Sequence, residues 1–208
     1  CAHEGVGGIC GTGKTATEPT TIKNCYNTGK VNCIYDSEHA GNCNAGGIIG
    51  FFSLWNNMPD VLNCKIENCY NTGKITGNIS KWVGACCGRT DNLEIKNFYY
   101  LEMEDLYGVG SGDIGEVNRM TAEQFKTGEV AYKLGEGFFQ HIGADDRPVF
   151  DSTHHEVLYN DSQYYNVHEY DDDYEIFYKR ASDDIEKAKS TREYGIDVEN
   201  HPNYFNAS

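Results

Sequence analysis

Two segments of this chain match almost letter for letter: IKNCYNTGKV (Ile22 to Val31) and IENCYNTGKI (Ile66 to Ile75). A third, IKNFYYLEM (Ile95 to Met103), keeps the start and loses the turn. A second motif alternates with them: VGGICG (Val6 to Gly11), AGGIIG (Ala45 to Gly50) and VGACCG (Val83 to Gly88). Internal repetition constrains a fold more than any other sequence feature, because one short unit cannot bury an apolar face alone and must share a core with its neighbours.

Two strand-like units alternating in this way describe the coils of a mainly β fold, a β-solenoid, with equivalent residues stacked at about the inter-strand spacing of 4.8 Å. Ile22, Ile66 and Ile95 then form one inward ladder, Asn24, Asn68 and Asn97 an amide ladder, and Tyr26, Tyr70 and Tyr99 an aromatic one. The NTG segment supplies a turn, with Gly29 and Gly73 free to take positive φ.

The chain resembles the GLUG-repeat proteins in these motifs, N-C-Y-N-T-G followed by G-G-I-x-G, over Val6 to Met103. The resemblance implies a module of a bacterial secreted or cell-surface protein. It would be a non-enzymatic spacer, adhesive surface or ligand-binding scaffold, with a host protein or glycan as partner and no cofactor. Such repeats also accompany IgA1-type metallopeptidases, so the alternative is an accessory, non-catalytic region of a large secreted hydrolase.

After Met103 the pattern changes. YGVGSGDIGEV (Tyr107 to Val117) reads as a glycine-rich connector. Thr121 and Gln124 form a capping box, with Met120 and Phe125 placed for a hydrophobic staple. Gly128 breaks the segment into two short helices and Gly135 stops it, while Val149, Phe150 and Val157 to Tyr159 are strand candidates. This series also resembles the segment that follows GLUG repeats, which implies a cap over the open end. The expected organisation is a repeat region at 1–106, a connector with a helical cap at 107–159, and an acidic, Tyr-rich α+β tail or the start of a further module at 160–208. In the tail, Ser182 reads as the N-cap of a helix ending at Gly195, and Glu169 to Glu175 as a solvated acidic face. The opening of the chain, almost inside a repeat, reads as a segment of a longer protein.

Composition excludes some functions. A net charge of -15 opposes binding to a phosphate backbone, and no apolar run approaches a membrane span. Nine cysteines suggest disulfides or metal, but no C-x-x-C spacing occurs. Cys25 and Cys69 align with Phe98, Cys10 with Ile49 and Cys87, and Cys86 with Ile9 and Ile48. Cysteine exchanging with large apolar residues acts as a buried hydrophobe. Cys33 and Cys43 share one insertion and are the favoured disulfide pair.

Gly8 to Thr15 matches the phosphate-binding pattern G-x-x-x-x-G-K-[ST], ending in Lys14 and Thr15. Pro19 and a Thr-rich string follow it, which oppose the helix such a loop needs, so no nucleotide partner is expected. His154, His155 and Glu156 read as surface residues, because neighbouring side chains on a strand point apart, and no catalytic or metal-ligating set emerges. The candidate ligand contacts are Phe51, Phe52 and Trp55, in FFSLWNNMPD, which reads as an insertion out of the repeat frame.

Overall fold

The computed structural model describes residues 5–15, 19–34, 43–54, 64–78, 82–91, 93–112 and 115–166. Trp55, Ser182 and Glu169 to Glu175 lie outside them, as do Cys1 and His168. Two compact units meet at Phe125/Lys126. Among the described residues no helix is long and apolar enough to cross a membrane.

The first unit is almost all strand. Its elements are β1 (Gly5–Gly7), β2 (Cys10–Thr15), β3 (Thr21–Asn27), β4 (Val31–Cys33), β5 (Asn44–Gly46), β6 (Ile49–Leu54), β7 (Cys64–Asn71), β8 (Ile75–Gly77), β9 (Val83–Thr90), β10 (Leu93–Leu101), β11 (Tyr107–Ser111) and β12 (Val117–Met120). All their pairings are parallel. One six-stranded sheet has the order β1-β5-β9-β6-β2, with β11 on β9. It nearly closes on itself like a barrel: a Cβ on Gly5 of β1 would stand 2.5 Å from Gly11 O of β2. A second sheet has the order β12-β10-β7-β3, and β4 pairs with β8.

The register follows the repeat. Ile22 lies opposite Ile66, which lies opposite Ile95; Cys25, Cys69 and Phe98 form the next inward column. Cys10, Ile49, Cys87 and Val109 align in the other sheet. These residues belong to one buried cluster or pack against it, and each fully buried aliphatic side chain contributes about 1.5–3 kcal/mol. Tyr26 stacks on Tyr70 with ring centroids 4.9 Å apart and planes 9° from parallel.

Three expectations are corrected. Gly29 and Gly73 do not adopt positive φ; the left-handed residue of each turn of the repeat is the asparagine, at Asn24 (φ 51°), Asn68 (49°) and Asn97 (49°). Asparagine tolerates that region better than other side chains. The bend aims the amides along the stack, where Asn97 Nδ2 donates to Asn68 Oδ1 at 2.7 Å. Glycine is required at 73 for proximity instead, since a Cβ there would sit 2.0 Å from Gly29 O.

Second, Tyr107 to Val117 is no simple connector. β11 and β12 pair in parallel with β9 and β10, extending both sheets with a fourth, shorter repeat whose letters have diverged. Third, Phe51 and Phe52 do not begin an insertion. They continue β6, in register with Thr12 and Gly13 and with Arg89 and Thr90. TGKT, the end of the segment that matches the phosphate-binding pattern, likewise belongs to a strand, β2.

Helix α1 (Ala122–Lys126) starts at the expected capping box: Thr121 N–H donates to Gln124 Oε1 at 2.9 Å and Gln124 N–H to Thr121 Oγ1 at 3.2 Å. Its Phe125 packs on Tyr70 at 5.8 Å. In the second unit, Gly128 at φ 87° precedes helix α2 (Glu129–Leu134), and Gly135 at φ 76° closes it by donating to Ala131 O. Phe139 and Val149 form an isolated antiparallel bridge. Strands β13 (Val157–Asn160) and β14 (Gln163–Asn166) make an antiparallel hairpin. Asp161 and Ser162, both at positive φ, form its two-residue turn, a geometry whose twist matches that of the strands.

Candidate functional site

Each candidate ligand contact from the sequence has a definite place, except Trp55, which lies outside the described residues. Phe52 is only 2% exposed, with its ring in the core. Phe51 is half-buried beneath the Arg89 guanidinium, 5.3 Å from its ring centroid. The segment matching the phosphate-loop pattern ends in strand β2 paired with β6, and β3 follows Pro19 and Thr20. This geometry differs from a loop closing on a helix N-terminus.

The cysteines divide in two. Cys33 and Cys43 form a disulfide, with Cα atoms 5.8 Å apart. Cys69, Cys86 and Cys87 are free thiols in the core. Burial pushes Cys69 and Cys87 up to about 12 and Cys86 well above its ordinary value. The thiolate is the nucleophile and metal ligand, so these groups behave as apolar spacers. Among the described residues, no group of three or more His, Cys, Asp or Glu side chains is arranged to hold a metal ion.

The second unit carries an aromatic surface that the sequence reading missed. Helix α2 buries Val130, Ala131 and Leu134 and turns Tyr132 outward. The hairpin sets Tyr159 directly opposite Tyr164. Their ring centroids are 4.8 Å apart, and each lies 5.7 Å from that of Tyr132. Tyr132 and Tyr159 are 45% and 46% exposed. Burial, then the neighbouring Glu129 carboxylate, raises the Tyr164 hydroxyl, which stays protonated and able to donate. Beside Tyr132 lies a cavity of about 210 Å³ lined also by Gly135, Glu136, Phe138, Glu156 and Val157. The buried Asn166 holds the hairpin in place: its Nδ2 donates to Gln140 O and Glu156 O, and its Oδ1 accepts from Ile142 N–H.

His154 sits in a 3-10 turn (Ser152–His154), not on a strand as expected, and His155 follows at φ 65°. Its Nδ1 lies 2.6 Å from Asp145 Oδ2, which also accepts the His141 N–H. The hydrogen bond to Asp145 raises His154 above its ordinary 6.5. Burial, the largest influence on Asp145, raises its carboxyl, but the hydrogen bonds from His154 and His141 together outweigh it and hold it below 3.8. A raised histidine stabilises fully below its unfolded value and loses this as pH rises through the folded one; a depressed carboxyl stabilises above its unfolded value and loses this as pH falls. The pair therefore stabilises most between about 3.8 and 6.5. In a pH series of urea melts, His154→Ala is expected to flatten the decline that the parent shows above pH 6.5.

No protein-family model, curated protein or solved structure matches the chain.

Proposed function

We propose that this chain is a non-enzymatic, ligand-binding module of a secreted or cell-surface protein, built on a β-solenoid scaffold. In-register parallel pairing supports the scaffold, since each N-C-Y-N strand lies on its counterpart in the next repeat. A disulfide between Cys33 and Cys43 fits an oxidising compartment. The GLUG resemblance points to the same setting.

The observation that carries ligand binding is the Tyr132–Tyr159–Tyr164 platform beside a cavity edged by Glu136 and Glu156. Aromatic faces stack on the C–H faces of sugars, while phenol and carboxylate oxygens hydrogen-bond their hydroxyls. The acidic surroundings and a net charge of -15 repel anionic chains. The ligand class is accordingly a neutral glycan.

Affinity electrophoresis through neutral and acidic polysaccharides tests this. Retardation is expected on a neutral polymer, with about a tenfold or greater loss in the double variant Tyr132→Ala/Tyr159→Ala, corresponding to some 1.4 kcal/mol or more. Phe51→Ala should bind like the parent. Equal retardation of parent and double variant refutes the platform.

A further inference from the structure

The repeat presents the same residues in successive rounds, so each round is a control for the others. In the second round Ile48, Ile66, Cys69 and Tyr70 are completely buried. Their first-round counterparts are not: Ile9 is 46% exposed, and Ile22, Cys25 and Tyr26 are only half-buried. The first round contributes β1, β2, β3 and β4, and each is the outermost strand on its side of its sheet.

The glycines give a second, independent contrast. Gly73 is indispensable because a Cβ there would stand 2.0 Å from Gly29 O of the preceding round. A Cβ on Gly29, by contrast, meets only Asn27 Oδ1, at 3.5 Å. Neither glycine needs positive φ. Nothing among the described residues therefore calls for glycine at 29. The same holds for the amides: Asn71 Oδ1 accepts from both Gly73 N–H and Asn27 Nδ2, whereas Asn27 Oδ1 accepts the Gly29 N–H alone among the described hydrogen bonds.

We infer that this end of the stack is a docking face for one further parallel coil of the same N-C-Y-N-T-G type. That coil would bury Ile9, Ile22 and Tyr26, donate an asparagine amide to Asn27 Oδ1, and bring a carbonyl oxygen against Gly29. Charge selects its first strand. Lys23 pairs with Glu67 at 3.3 Å and Lys65 with Glu94 at 3.0 Å across neighbouring rounds, so a strand with glutamate before the asparagine suits Lys23.

The inference rests on the stacked-coil reading above, and one experiment separates the two. A second copy of residues 44–78 is fused ahead of Cys1, which leaves five residues before Val6, one more than the four that separate Asn78 from Val83, the register counterpart of Val6 through Ala45. Amide hydrogen exchange is compared in the full chain with and without this addition. At least tenfold slower exchange is expected across Thr21–Asn27 in the extended chain. Gly29→Ala should be silent in the original chain and reverse the protection in the extended one, while Gly73→Ala should speed exchange in both. Unchanged exchange on extension, an equal effect of Gly29→Ala in both chains, or protection that comes instead from dimerisation of the original chain would overturn the inference. A silent Gly73→Ala would overturn the stacked-coil reading itself.

Discussion

Asn71→Ala is expected to remove about 3–5 kcal/mol from the unfolding free energy, one of the two largest single-residue effects in the chain. Asn71 is completely buried. Its Nδ2 donates to Gly73 O at 2.9 Å and its Oδ1 accepts the Gly73 N–H at 3.2 Å, closing the NTG turn on itself. The same oxygen accepts Asn27 Nδ2 from the preceding round at 2.8 Å. Truncation leaves Gly73 O without its partner and takes one of two hydrogen bonds each from Gly73 N–H, which keeps Asn27 O, and from Asn27 Nδ2, which keeps Gly29 O; a buried orphan costs about 1–3 kcal/mol and each further lost bond about 0.5–1.5 kcal/mol. A cavity adds to this, because a Cβ built on Gly47 would lie 2.6 Å from Asn71 Cγ, so the amide fills the space beside that glycine. Asn27→Ala should cost less although it also breaks three hydrogen bonds, since Asn27 lies at the more exposed end, where water replaces lost partners. Urea melts of the two variants read the difference directly. Equal, small effects would show that the amide column does not hold the turns.

The sequence showed the ladders because identical letters recur in identical order. Ile22, Ile66 and Ile95 had to share an environment, and the exchange of Cys25 and Cys69 with Phe98 marked those thiols as core. The Cys33–Cys43 bond was legible from two cysteines in one insertion. Elsewhere geometry departs from letters. An NTG tripeptide looks like any turn, so positive φ was given to its glycine, and the buried role of Asn27 and Asn71 was missed. The fourth repeat is hidden because β11 and β12 keep little of the motif beyond Val109, which stands where the others have Cys10, Ile49 and Cys87, and Gly110, which falls at the place of Gly88. Phe51 and Phe52 looked inserted because the first round has Thr12 and Gly13 there, yet Gly13 is the complement of Phe52: a Cβ on it would meet that ring at 2.7 Å. The tyrosine platform was hidden because its rings come from α2, β13 and β14.

Gly46→Ala should be at least as damaging, costing about 4 kcal/mol or more, for a reason that explains the G-G-I-x-G motif. Between β5 and β6 the chain turns sharply at Gly47 and Ile48, folding the Ile49 carbonyl back over the α-carbon of Gly46. A Cβ there would stand 2.0 Å from Ile49 O and 2.8 Å from Cys86 O of the next round. Both obstacles are backbone, held by the ladder on either side, so neither can rotate away as a side chain would. The same approach recurs at Gly7 against Cys10 O and at Gly84 against Cys87 O, both at 2.1 Å. The fourth repeat supplies a natural comparison. Tyr107 stands opposite Gly84 there, and Val109 is already opposite Cys87, so β11 takes two steps where β9 takes three and omits one residue of the corner; a side chain occupies the glycine's place only where the corner is shortened. Gly46→Ala puts a side chain into a corner of full length in a central repeat, where Ile48 and Ile49 on one side and Ala45 on the other are buried in the core. The expected signature is loss of amide protection across Ala45, Val83 and Cys87, together with the fall in urea midpoint. Retention of parent stability would mean that the corner relaxes without disturbing the register, and the motif's first glycine would then need another explanation.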